Sequence, residues 1–197
     1  MQDFWIFFKI GINHVLDLEG YDHILFLIAL TSPYTSKEWQ RILILVSIFT
    51  FGHTISLALA MMNIVKVNAK FIELLIPITI LITALYNLIT AGKGSKQTSI
   101  SFIGFVTFFF GLIHGLGFSN YFKNLLFGDA LDKIPSTAAF AFGIEGAQII
   151  VVLFVLLLAF VMITLFKFNK RDFTLIMSAF VLGVVVPIII ENPLLKR

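Results

Sequence analysis

Two histidines and three acids fall within the seventeen residues from Gly11 to Leu27, GINHVLDLEGYDHILFL: His14, His23, Asp17, Glu19 and Asp22. The chain has only four histidines, and the other two, His53 and His114, lie inside long apolar runs. Ionisable side chains within apolar segments are costly unless they bind a ligand or one another. Imidazole and carboxylate together suit divalent Zn, Ni, Co, Fe or Mn. With no cysteine in the chain, thiolate sites, zinc ribbons and disulfides are excluded. The absence of cysteine and of any methionine cluster also disfavours Cu(I). The expected chemistry is therefore one metal site of nitrogen and oxygen ligands, drawn from the four histidines with Asp22, Glu73 and Glu145. Six or seven candidates exceed what one tetrahedral zinc needs. An octahedral ion, a pair of ions, or carboxylates that orient the histidines from behind all satisfy that count. No HExxH, GxSxG or P-loop motif is present.

These groups must be positioned by membrane-spanning helices. Of the 197 residues, 59% are hydrophobic and only 13% charged, against about 25% charged in ordinary soluble domains. Mean hydropathy is +1.01, and the apolar runs reach the ~20 residues that a helix needs to cross a bilayer. The expected fold is all-α: about six transmembrane helices in one bundle, forming a single domain over residues 1–197. The formal charge of +3 is scattered among short loops, so nothing points to nucleic acid. MQDFWIFFKIG lacks a basic n-region and a small-residue cleavage site, and reads as the start of the first span rather than a signal peptide.

The first segment runs from about Phe4 to Leu30. On a straight helix His14 and His23, nine residues apart, point to opposite faces. They can cooperate only if the helix breaks near Gly20, with one piece ending near Asp17 and the next starting near Tyr21. The second span, Gln40 to Met62, carries Ser47, Thr50, His53 and Ser56 at three-residue spacing. The third, Ala69 to Ala91, holds Glu73 and Asn87, fourteen residues apart and so expected on one face. A loop over Gly92–Ser99 leads to a fourth span, Ile100 to Phe118, and a polar connection over Ser119–Ser136 to a fifth, Thr137 to Phe166. The sixth, Phe173 to Ile190, reads as lipid-facing.

Depth ties the candidates together. At 1.5 Å per residue, His53, Glu73, His114 and Glu145 all fall in the half of the bilayer that also receives Asp22 and His23 after the break. His114 is expected one turn, and Glu145 two turns, from that surface. Unrelated core polar groups have no reason to agree on depth. Other polar residues have plainer roles at helix interfaces, where hydroxyls and amides bridge neighbours. Thr50, Ser56 and Gln148 belong here, and with Glu73 and Asn87 they are expected to line the pathway or back the ligands.

The segments GINHVLDLEGYDHILFLIAL, FTFGHTISLALA, GLIHGLGFS and FGIEGAQ resemble the HupE/UreJ membrane proteins, with their GxxHxxxGxDHLLFLLAL, AHSITLALA-like and HGLGFA motifs in the same order. Gly52 stands where that family usually has alanine. The resemblance implies a nickel or cobalt permease in which His14, Asp22, His23, His53, His114 and Glu145 carry the metal; the ligand chemistry by itself leaves open one or two ions of Ni, Co, Zn or Fe. It implies an integral protein of the bacterial inner membrane, and the acids of the fourth connection favour placing the N-terminus outside. Assembly into a homo-oligomer stays open. Two other classes compete with a permease. One is a metal-dependent intramembrane hydrolase, with Glu73 or Glu145 as base and Ser56 or Asn87 polarising a carbonyl. The other is a chaperone or sensor that binds the ion without moving it.

Overall fold

A computed structural model describes residues 2–17, 20–92, 100–125 and 133–196. Apolar runs of this length leave the backbone no partner but itself, so the chain is helical; no strand occurs among the described residues. Among the described residues seven α-helices follow in order: α1 (Gln2–Leu16), α2 (Asp22–Thr31), α3 (Trp39–Met61), α4 (Ala69–Thr90), α5 (Ile100–Leu125), α6 (Lys133–Phe160) and α7 (Lys170–Glu191). A 3-10 turn, Ser36–Glu38, leads into α3, and α6 ends in a π-helical stretch, Val161–Leu165. Among the described residues five segments are long and apolar enough to cross a membrane: Ser36–Met61, Ala69–Thr90, Ser101–Ser119, Lys133–Leu165 and Lys170–Glu191. The first sequence segment is divided into α1 and α2, each too short to span alone. Their ends at Leu16 and Asp22 bracket Gly20, where a break was expected. Large apolar side chains such as Ile44, Phe51, Phe105, Phe142, Phe154 and Leu157 face outward. The polytopic helical membrane architecture accounts for that surface, because lipid tails replace the water such side chains avoid.

Two glycine seams set the packing. Along α3 and α5, a Cβ on Gly52 would overlap Phe108 O, one on Gly111 would overlap Phe49 O, and one on Gly115 would overlap His53 O and Ser56 Oγ. Along α1 and α6, a Cβ on Gly11 would run into Phe140 O and one on Gly143 into Phe8 O. Small residues let helix backbones approach this closely where lipid supplies no hydrophobic drive. The first seam carries His53 and His114, and the second carries His14. The helix pairs holding three of the four histidines are thus fixed at backbone contact.

Several expectations need correcting. α5 continues to Leu125 and α6 begins at Lys133, so the connection expected over Ser119–Ser136 is helical at both ends. The extension is held by Phe122, fully buried against Phe7 and Phe140. Pro135 fits because the first turn of a helix needs no N–H there. His114 consequently lies eleven residues before the end of its helix, although the apolar span of that helix ends at Ser119. Asp129 and Asp132, the Gly92–Ser99 loop beyond Gly92, and Glu19 lie outside the described residues. α7 is not simply lipid-facing. It packs along α4 with Phe173, Val181 and Val185 buried, and Thr174 Oγ1 lies 3.0 Å from Ser32 O at the end of α2.

Candidate metal centre

Helix α2 starts at Asp22, so His23 stands at the mouth of its first turn, beside the break in the chain. The break lets α1 leave α2 and lie along α6 instead, which swings His14 back toward His23. The two rings meet with centroids 4.6 Å apart. His53 lies 5.7 Å from each of them, and His114 lies 5.2 Å from His23. His14, His23 and His53 each offer one ring nitrogen such that all three atoms lie within 4.8 Å of one another.

The hydrogen bonding leaves these nitrogens free. Asp22 Oδ1 lies 3.1 Å from His23 Nδ1 and also accepts the His23 backbone N–H at 2.8 Å. A carboxylate accepts, so Nδ1 of His23 carries the proton and Nε2 keeps its lone pair. His114 Nδ1 lies 2.8 Å from Phe110 O, and a carbonyl can only accept, so here too Nε2 bears the lone pair. Nε2 of His14, His23 and His114 and both ring nitrogens of His53 are buried without a hydrogen-bond partner. Buried polar atoms are almost always paired. The neutral His53 ring carries one N–H and one lone pair, so the five unpaired nitrogens on four adjacent rings offer at most one free lone pair per ring.

Phenylalanines enclose the rings. His14 lies 3.9 Å from the Phe118 centroid and 5.7 Å from Phe140. His114 lies 5.0 Å from Phe49 and 5.5 Å from Phe26. His23, His53 and His114 are essentially inaccessible to solvent, whereas Asp22 retains about a third of its exposure. Sequence reasoning missed this cage, though a signal was present. Phe49 precedes His53 by four residues, Phe110 precedes His114 by four, and Phe118 follows it by four, so each shares a helix face with an imidazole.

The other candidates are placed as follows. Asp22 contacts His23 rather than standing among the ring nitrogens, the arrangement in which a carboxylate fixes a ligand's tautomer and orientation. Glu145, half-buried on α6, accepts a short 2.5 Å hydrogen bond from Ser47 Oγ on α3, away from the rings. Gln148 is fully buried, and Thr50 Oγ1 lies 2.8 Å from its Oε1. Ser56 donates to His53 O within its own helix, 3.0 Å away. Asn87 Nδ2 donates to Ala29 O at 2.6 Å, bracing α2 from α4. Glu73 is exposed on α4 and does not join the cluster, which corrects the shared face expected of Glu73 and Asn87. Fourteen residues fall roughly 40° short of four full helical turns, and Pro77 lies between the two. The three-residue stripe on α3 likewise drifts around its helix. Ser47 and Thr50 meet α6, while Ser56 meets Gly115 of α5.

The donor set fits a divalent transition ion in kind and nearly in distance. Nitrogens bound to one ion at about 2.0–2.1 Å stand at most ~4.2 Å apart, so the triad closes with a contraction of roughly 0.6 Å from its 4.8 Å limit. No curated protein and no solved structure is detectably similar to the chain. The family model described as HupE / UreJ protein matches residues 1–191, and the chain belongs to that family.

Proposed function

We propose that the protein carries a divalent transition metal ion, nickel or cobalt, across the cytoplasmic membrane by way of the buried histidines. Membership of the HupE/UreJ family supports metal transport in general. The observation that carries the reading is the group of five unpartnered imidazole nitrogens on His14, His23, His53 and His114. Asp22 is engaged with Nδ1 of His23 and Glu145 with Ser47, so the unpaired atoms that face one another are all nitrogen. Imidazole suits Zn, Cu, Fe and Ni, and it disfavours Mg, Ca and Mn, which prefer oxygen. The ion is cargo. It sheds water as it enters a space walled by Phe26, Phe49, Phe118 and Phe140, and imidazoles replace the lost ligands. Asp22 is the half-exposed group that holds Nε2 of His23 toward the ion, and Phe110 O does the same for His114. In this reading the ion enters from the side that holds the N-terminus and meets the histidines beside the break between α1 and α2.

The hydrolytic alternative loses support from the side-chain placement. Glu73 faces outward and Glu145 is paired with Ser47, so neither stands where a base would be needed. The decisive experiment is elemental analysis of the purified protein, followed by uptake of Ni, Co, Zn or Fe into proteoliposomes. Bound nickel or cobalt with saturable uptake is expected. A protein that takes up no ion refutes transport, and tight binding without flux assigns it to storage or sensing. His53→Ala and His114→Ala that both keep full metal occupancy would refute the site itself.

A further inference from the structure

The four imidazoles do not share the same surroundings; their ring contacts order them between two pairs of phenylalanines. α2 leads from the break inward, and Phe26 is one turn beyond Asp22. α3 and α5 run the other way with respect to the cage, so Phe49 and Phe110, each four residues before a histidine, mark the same deeper level. Phe118 and Phe140 mark the level of the break. His14 stands against Phe118 and Phe140, with centroid distances of 3.9 and 5.7 Å. His114 stands against Phe49 and Phe26, at 5.0 and 5.5 Å. His23 lies between them and contacts both, 4.6 Å from His14 and 5.2 Å from His114. The mutually close nitrogens belong to His14, His23 and His53, and His114 is outside that triad. Phe26 and Phe49, stacked at 4.7 Å, close the deep side. Beyond them α2 ends in an oxygen-rich layer, with Ala29 O, Ser32 Oγ and Asn87 in mutual hydrogen-bond reach.

We propose that the ion occupies two successive positions sharing His23: a capture position on His14, His23 and His53, and a release position on His23 and His114 against the Phe26–Phe49 stack. This rests on the transport reading above and gives it a direction. A site with four equal ligands holds its ion too well to conduct, because passage requires binding weak enough, or divided enough, to let the ion leave. Here the second position offers fewer imidazoles than the first. The ion can change partners while His23, held by Asp22, never lets go. His114 is therefore not needed for capture. Its task is to take the ion out of the triad.

The test uses cobalt(II) as probe on the full chain, comparing His114→Gln with His53→Gln. Glutamine at 114 keeps an N–H for Phe110 O and removes the imidazole lone pair. His114→Gln is expected to retain native cobalt stoichiometry and visible absorption while its uptake into proteoliposomes falls about tenfold or more, the scale of losing one orienting or ligating contact at a metal site. His53→Gln is expected to lose both. The proposal is overturned if a His114→Gln protein with native helicity and elution releases cobalt as His53→Gln does, since that makes one four-imidazole site. It is equally overturned if uptake stays at the native rate. Should glutamine not fold, His114→Asn is read by the same two measurements. A native protein that binds no cobalt removes the transport reading itself, an outcome distinct from a native protein that binds and conducts while the two variants behave alike.

Discussion

Gly115→Ala adds a single carbon and ought to dismantle the histidine triad. The new Cβ would overlap His53 O and Ser56 Oγ and stand 2.9 Å from the His53 carbonyl carbon. Carbon atoms pack at about 3.5–4.0 Å, so Gly115 on α5 must push the His53 backbone of α3 away by roughly 0.6–1.1 Å. The obstacle is backbone and cannot swing aside. Overpacking of this kind costs about 1–3 kcal/mol. The triad must already contract by roughly 0.6 Å to bring its nitrogens within ~4.2 Å of one another, so a further displacement of this size weakens His53 as a ligand even if the fold survives. Gly146→Ala is the matched control, because a Cβ there meets nothing within 4 Å, and alanine favours a helix by about 1 kcal/mol over glycine. The assay is the thermal midpoint in mild detergent together with cobalt retained after gel filtration. Gly115→Ala should lower both, and Gly146→Ala should lower neither. If Gly115→Ala keeps its cobalt and its midpoint, the seam does not position the site.

Other outcomes follow from single contacts. Asp22→Asn removes the carboxylate behind His23 and should weaken nickel or cobalt binding about 10–100-fold by competition titration while helicity stays native. Binding should weaken as pH falls toward and below about 6.5, the ordinary imidazole value, because protons compete with the ion for the ring lone pairs; equilibrium dialysis from pH 8 to 5.5 reads this, and a pH-independent affinity would count against histidine ligation. Asn87→Ala deletes the bond to Ala29 O and should cost about 0.6–1.7 kcal/mol in detergent unfolding, the range for intramembrane side-chain bonds. Glu38→Gln breaks the 2.9 Å ion pair with Lys170, but at a part-exposed site the loss should stay within about 1 kcal/mol.

The sequence exposed what chain-local physics decides. His14 and His23 cannot share a face on a straight helix, and the break that this requires falls between Leu16 and Asp22. The spans were legible because hydropathy over twenty residues leaves few alternatives. Helix ends were legible only in part. SNYFKNL looked like a loop, whereas Phe122 has a buried slot that keeps the segment helical. Facing was the least legible property. Glu73 and Asn87 differ by tens of degrees around α4, enough to put one outside the bundle and the other in it. Nor does residue type reveal a partner. Asp22 and Glu145 look equivalent as acids in apolar surroundings, yet one meets a histidine and the other a serine.

The break after Leu16 also has a consequence for biogenesis. Because α1 is seated on α6 through Gly11 and Gly143, the spacing between His14 and His23 is set by a helix that begins more than a hundred residues later. A nascent chain that has emerged as far as α5 already carries all four histidines but has no wall to hold the first of them. Until α6 is inserted, His14 rides on an untethered helix and the capture triad does not exist. Half-made chains would therefore not sequester scarce metal in the membrane, and the finished site would arise in one late step, when α6 docks.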